Sequence, residues 1–203
     1  MRIGLYFGSF NPVHHGHLII ASHMLQNTDL DQIWFVVSPQ NPLKKVSSLL
    51  NEYQRLHLVR LAIDEYNGFK AVDVEFRLPK PSYTYDTLKE LSNTYPDYEF
   101  KIIMGSDSFQ NLQKWKNSEQ IRSSYPIYIF LRPKYEVVDI RENHIKIVNA
   151  PLIEISSSAI RHILKNGGSI RYYVPENVRD EIEKGMYYRK TKRSILIANK
   201  SKQ

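Results

Sequence analysis

Three histidines, His14, His15 and His17, fall within four positions of this 203-residue chain. They close the run Gly8-Ser9-Phe10-Asn11-Pro12-Val13-His14-His15-Gly16-His17. Gly8 and Ser9 leave backbone amides accessible, and Gly16 lets a ligand approach a helix start closely. Amides and helix dipole together favour a phosphate at such a place. His14 and His17 are three apart, so on a helical start they face one side. A polyphosphate undergoing nucleotidyl transfer gains negative charge on its equatorial and leaving oxygens. Imidazole donors on those oxygens stabilise that charge without a covalent intermediate. Two other readings stand beside this one: a histidine-rich surface turn, and a metal site. Zinc could take His at i and i+3, but no neighbouring Cys and no nearby Asp or Glu completes a ligand set. A Walker lysine motif is missing, which disfavours P-loop phosphoryl transfer.

A second run, Ile155-Ser156-Ser157-Ser158-Ala159-Ile160-Arg161, places three serines before an apolar-periodic helix. The serines read as an N-cap with hydroxyls and amides to offer, and Arg161 lies one turn inside. Hydroxyls, amides and a guanidinium in one place make a second anion site. An ordinary capped helix with a surface arginine is the plainer reading. After the second strand, Pro42-Leu43-Lys44-Lys45 offers Lys44 as a phosphate contact, or simply a solvated charged loop.

The first run resembles the N-terminal signature of the nucleotidyltransferase superfamily, G-[GST]-F-[DN]-P-x-H-x-G-H. Asn11 stands where many members have Asp. The second run resembles that superfamily's I-S-S-[ST]-x-[IL]-R signature. The two lie about 140 residues apart, in the superfamily's order and spacing. Segments between them resemble the nicotinate-nucleotide adenylyltransferase family. These are Pro81-Ser82-Tyr83-Thr84-Tyr85-Asp86-Thr87-Leu88, then Met104-Gly105-Ser106-Asp107-Ser108-Phe109 with Lys114-Trp115, and Leu131-Arg132-Pro133.

The resemblance implies adenylyl transfer from ATP to nicotinate mononucleotide. It makes His14, His17 and Arg161 the catalytic residues. ATP would be bound by Gly8, Ser9, Phe10, His14, Gly16 and His17, by Gly105 and Asp107, and by Ile155, Ser156, Ser157 and Arg161. Tyr83, Thr84 and nearby amides would meet the pyridine carboxylate; amides at a helix start suit a carboxylate better than a carboxamide. Asp107 would accept from ribose hydroxyls, Trp115 would stack on the pyridine, and Arg132 and Lys44 would contact phosphate. Mg²⁺ would arrive with ATP, held by phosphates and waters, with no metal caged by the protein. Rival acceptors in the superfamily are nicotinamide mononucleotide, pantetheine phosphate and glycerol phosphate. From other classes come a nucleic-acid binder using a basic tail and a degenerate nucleotide sensor. Intact His14, His17 and Arg161 argue against the sensor.

These residues need a scaffold, and the pattern alternates strand and helix. Strands are expected over residues 3–7, 32–37, 71–76, 100–104, 127–131 and 145–148. Helices are expected over 15–26, 52–65, 85–93, 157–165 and 175–184, with one or two short ones between 104 and 127. Ser82 or Thr84 is expected to cap the third helix. Gly167-Gly168 and Gly185 are expected to stop the last two. Repeated strand–helix–strand units imply an α/β fold, a doubly wound, mostly parallel, Rossmann-like sheet. Ligands in such sheets bind beyond the carboxyl ends of the strands, and each motif above follows a strand or opens a helix.

Size and composition agree. A chain of this length is one domain with a core, here expected over 1–187 with a small helical part from about 157 and a tail over 188–203. The absence of cysteine removes disulfides, Cys-ligated zinc, iron–sulfur clusters and a thiol nucleophile. No apolar run approaches the roughly 20 residues of a membrane helix. Gly8 follows the first apolar run too soon for a signal peptide, so the cytoplasm is the expected compartment. The net charge is +7, but from Lys184 onward there are seven cations and no anion. Residues 1–183 carry twenty-one of each sign, so the body is neutral. The expected partners are ATP and nicotinate mononucleotide, with no nucleic acid or membrane and with a homo-oligomer left open. The stretch Ser194-Ile195-Leu196-Ile197-Ala198 is apolar enough to form a short element.

Overall fold

The computed structural model describes residues 1–40, 49–64, 66–137, 140 and 142–189. Six strands form one parallel sheet: β1 (Arg2–Gly8), β2 (Gln32–Val37), β3 (Phe69–Val72), β4 (Glu99–Gly105), β5 (Ile127–Phe130) and β6 (Ile145–Val148). Their order is β3-β2-β1-β4-β5-β6. The helices are α1 (His15–Asn27), α2 (Glu52–Ile63), α3 (Thr84–Thr94), α4 (Ser106–Phe109), α5 (Ser118–Ser124), α6 (Ser157–Lys165) and α7 (Glu176–Lys184). Every named strand pair is parallel. The expected doubly wound α/β fold is therefore the one observed. Strand order reverses between β1 and β4, which opens a crevice at their carboxyl ends.

The strands alternate between two apolar layers. Tyr6, Ile33, Phe35, Val37, Ile103, Tyr128 and Phe130 face α1, α2, α6 and α7. Ile3, Leu5, Trp34, Val36, Ile102, Met104, Ile127 and Ile129 face α3 and α5. Both sheet faces are covered, which explains why β2 and β5 read as nearly continuous apolar runs. Among the described residues, no helix is long and apolar enough to cross a membrane.

Two expectations need correction. The strand expected over 71–76 ends at Val72, because the ladder with β2 stops at the Val36–Val72 pair. A 3-10 turn, Val74–Phe76, follows. Its alternation mimicked a strand, but no neighbouring strand continues alongside it. Helix α3 is capped by neither Ser82 nor Thr84; Tyr83 holds the N-cap position without a side-chain bond. The Ser82 hydroxyl donates instead to the Glu75 carboxylate at 2.7 Å. Gly185 directly follows α7, as expected, and is its C-cap, but it is not the left-handed residue there. Met186 is, with φ 53°. Gly185 serves a different need: a Cβ there would lie 2.4 Å from the Tyr187 ring, which folds back over it. The stop after α6 is as expected. Gly167 is left-handed (φ 77°), and its amide and that of Gly168 bond back to Leu164 and Ile163. The apolar stretch 194–198 lies outside the described residues.

Candidate active site

The loop after β1 is fixed through its carbonyl oxygens. The Gly8 carbonyl accepts from the Ser38 amide at 2.9 Å. The Ser9 carbonyl accepts from Arg55 Nη1 at 2.6 Å. The Asn11 carbonyl accepts from Arg161 Nη1 at 2.7 Å, and that of Pro12 from Ser157 Oγ at 2.8 Å. In a trans peptide the N–H points opposite the C=O. The amides of Ser9 and Phe10 are thus turned the other way, and both residues line the cleft. Phe10 adopts φ 42°, which a non-glycine residue holds only when its surroundings demand it. Its ring supplies that demand: it is 1 % exposed and packs edge-on against Tyr6 and His17. What Phe10 can offer a ligand is its backbone.

The same contacts join the two sequence motifs. Residues 145 and 150 positions apart are hydrogen-bonded directly. Ser156 caps α6 by accepting from the Ala159 amide, and this aims Ser157 and Arg161 back at the first loop. The resulting cleft, about 380 Å³, lies over the ends of β1, β4 and β5. It is lined by Gly8, Ser9, Phe10, His14 and His17, by Gly105, Asp107 and Trp115, and by Arg132, Ile155, Ser156, Ser157 and Arg161.

His14 caps α1 and is 4 % exposed. Burial, together with the nearby Arg132 and His15 charges, pushes its pKa down to about 3. It is therefore a neutral ring at pH 7. It stacks on His17, with ring centroids 3.7 Å apart. His17 Nδ1 accepts from the His14 backbone amide at 3.3 Å. In a neutral His17 ring the proton then sits on Nε2. Gly16 does not line the main cleft but a small adjoining one, shared with His14, His17, Arg132 and Ile155. A Cβ at Gly16 would lie 3.0 Å from His14 Nδ1.

On the other wall, the Arg132 amide donates to Ser106 Oγ at 2.9 Å, tying the ends of β4 and β5 together. Its Nε lies 3.6 Å from Asp107 Oδ1. Among the described residues, that Nε and His14 Nδ1 are the two buried side-chain polar atoms without a hydrogen bond. Both face this site, where a phosphate could satisfy them. A Cβ on Gly105 would lie 2.4 Å from Asp107 Oδ1, so glycine is what lets the aspartate fold back.

Tyr83 and Thr84 are not in the cleft lining. They open α3 beside it. Lys116, next to Trp115, lies 4.9 Å over the Tyr83 ring and bonds Asp86 at 2.8 Å. Lys44 lies outside the described residues.

Two residues of this site escaped the sequence reading. Arg55 of α2 is fully buried and donates to four carbonyls: Leu50, Ser9, Ser38 and Pro39, at 2.6–2.9 Å. A signal existed, because a charge three before Leu58 and four before Val59 lies on the apolar face of its helix. Tyr188, grouped with the tail by its sequence position, donates to Asn11 Oδ1 at 2.8 Å. Nothing local in the sequence marks it.

A family model described as cytidylyltransferase-like matches residues 5–163. A Flavobacterium psychrophilum protein named "Probable nicotinate-nucleotide adenylyltransferase" is 49 % identical over 193 residues, 94 % of this chain and 100 % of its own. A Cytophaga hutchinsonii protein of the same name is 49 % identical over 93 % of this chain and 98 % of its own. Among solved structures, the Plasmodium falciparum nicotinic acid mononucleotide adenylyltransferase complexed with NaAD shares the fold, with TM-score 0.75 and 22 % identity, over 92 % of this chain and 97 % of that one. Near one-half identity along almost the whole of both chains, with the two sequence motifs meeting at one cleft, means that this chain belongs to the nicotinate-nucleotide adenylyltransferase family.

Proposed function

We propose that this protein transfers the adenylyl group of ATP to nicotinate mononucleotide, giving nicotinate adenine dinucleotide and pyrophosphate in NAD biosynthesis. The observation that carries this reading is the junction of the two motifs: Arg161 and Ser157 grip the loop whose amides and histidines line the cleft. A phosphate oxygen of the mononucleotide attacks the α-phosphorus in line. The new O–P bond forms as the bond to the β-phosphate breaks, and its electron pair leaves with pyrophosphate. The nucleophile is already anionic, so no general base is needed. The protein's work is positioning and charge stabilisation.

His14 enters as a neutral donor. His17 would donate through Nε2. Positive charge comes from Arg132 and Arg161, with the amides of Ser9 and Phe10 adding partial charge. Arg161 has two tasks: it holds the loop and its own helix start, with Nη1 on the Asn11 carbonyl and Nη2 on the Ser158 hydroxyl, and its charge would stabilise the departing pyrophosphate. Ile155, Ser156 and Ser157 would hold the same phosphates at the start of α6. Gly8 and Gly105 let the nucleotide lie close to the strand ends, and Asp107 would accept from ribose. On the acceptor side, Trp115 would stack on the pyridine, Tyr83 and Thr84 would meet its carboxylate, and Lys44 and Arg132 its phosphate. Among the described residues no three His, Cys, Asp or Glu gather as a metal cage. That fits Mg²⁺ carried by the ATP phosphates and waters, where it would neutralise developing charge.

Pyrophosphate release with ATP and a panel of phosphorylated acceptors tests the reading. Nicotinate mononucleotide should give the highest kcat/KM; a preference for nicotinamide mononucleotide would overturn the choice of acceptor. His17→Ala should lower kcat by about 10²–10³ with Tm unchanged, the cost of losing one placed donor. Near-normal turnover would refute the assigned role.

A further inference from the structure

A carboxylate sits buried where none is needed to fill the core. Glu75, in the turn after β3, is 2 % exposed. Ser82 donates to its Oε2 at 2.7 Å and Thr87 to its Oε1 at 3.1 Å. The Ser38 side chain also acts on the carboxylate, favouring its charged form. All three partners are hydroxyls and none is a cation. Burial of a carboxylate without a counter-charge is costly, and an apolar residue of similar size would stabilise the fold at least as well. What the carboxylate provides is geometry. Ser38 directly follows β2, and its amide holds the Gly8 carbonyl of the phosphate loop. Ser82 and Thr87 flank the start of α3, and Thr87 Oγ1 also bonds the Tyr83 carbonyl at 3.2 Å. One side chain therefore ties the amino end of α3 to the turn after β3, and β3 is paired to β2, whose following residue holds the loop after β1. The first amides of α3 point out of that end.

We infer that Glu75 is a positioning residue for the acceptor: it fixes the Tyr83–Thr84 helix start at the distance from the phosphate loop that aligns the mononucleotide for attack. This rests on the assignment of that helix start to the pyridine carboxylate. Ser82 and Thr87 then belong to the scaffold, and Tyr83, Thr84 and their amides belong to the ligand.

Glu75→Gln keeps the size and removes the charge that draws three hydroxyls together. The expected result is a rise of about tenfold or more in KM for nicotinate mononucleotide, with KM for ATP and kcat changed less than about threefold. The Tm should hold or rise, because a buried charge is gone. Thr87→Val, which removes one donor at nearly constant volume, should shift the same KM in the same direction. A purely structural role predicts instead a lower Tm with both KM values moving together, and that outcome overturns the inference. So does an unchanged acceptor KM in folded Glu75→Gln. Thr84→Ala together with wild-type turnover separates the two claims. If the wild type does not use nicotinate mononucleotide, the functional reading fails and the inference falls with it. If the wild type uses it and Thr84→Ala raises its KM while Glu75→Gln does not, the functional reading stands and the inference alone fails.

Discussion

Among single residues, His14 has the clearest conflict between stability and placement. It is a polar ring in a nearly closed site, with Nδ1 unbonded and a cationic neighbour in Arg132. Its pKa of about 3 lies below the ordinary histidine value. Above about pH 6.5 both folded and unfolded chains carry it neutral, so its contribution to stability is complete there. As the pH falls, the unfolded chain takes up a proton that the folded chain refuses until near pH 3. Stability is therefore lost on the acid side, at up to about 1.4 kcal/mol per pH unit. Between pH 7 and pH 5 the wild type should lose about 2 kcal/mol more in urea unfolding than His14→Asn. Equal losses would show that His14 is not held neutral by the fold. The sequence brought His14 and His17 forward as candidates, because a turn bounded by glycines and a three-residue spacing are local. It could not disclose the stacking of the two rings or the lowered pKa of His14, which comes from burial and from Arg132 beyond the end of a distant strand.

At the level of elements, the sheet was legible because each strand is short, apolar and followed by a helical period. The strand ends were less so. Alternation in 71–76 continues past Val72, yet a strand also needs a paired ladder, and pairing with β2 stops at Val36–Val72, where the chain enters a 3-10 turn. The start of α3 was misread for a related reason. Ser82 is a good cap by type, but Glu75 takes its hydroxyl. Arg55 shows how elements are joined where they leave the sheet. Its guanidinium collects carbonyls from the loop after β1, the loop after β2 and the approach to α2. Lysine in its place has a single charged centre and cannot fork to four acceptors. Arg55→Lys, with three donors for four carbonyls, should leave at least one buried carbonyl unpaired, at about 1–3 kcal/mol. A fall in Tm of about 5–10 °C is expected for a chain of this size. Because Ser9 is among the four carbonyls, KM for ATP should rise as well. A folded variant with unchanged KM for ATP would confine Arg55 to stability.

In the whole molecule, charge and site are separated. The excess of cations is confined to the last twenty residues, while the cleft belongs to the neutral body. Local cations and amides, rather than net charge, are what a polyphosphate meets there. The tail was therefore set aside in the sequence, and for residues 191–203 that view leads to a prediction: their deletion should leave kcat/KM for both substrates within about twofold. Removing Tyr188 as well should not be silent. Its hydroxyl reaches Asn11 across 177 positions, and Asn11 Oδ1 also receives the Leu50 amide. A truncation after Tyr187 should raise KM for ATP severalfold, and Tyr188→Phe should reproduce part of that rise. If both behave like the 191–203 deletion, the bond is incidental. The long reach of this contact also bears on the order of synthesis. A ribosome makes the phosphate loop among the first twenty residues, but Arg161 and Tyr188, which complete it, come near the end. A nascent or prematurely terminated chain thus carries the histidines without their closed setting. A fragment that ends before Arg161 should therefore show little adenylyl transfer, and one that ends at Tyr187 a weakened one, as pyrophosphate release from such fragments would test.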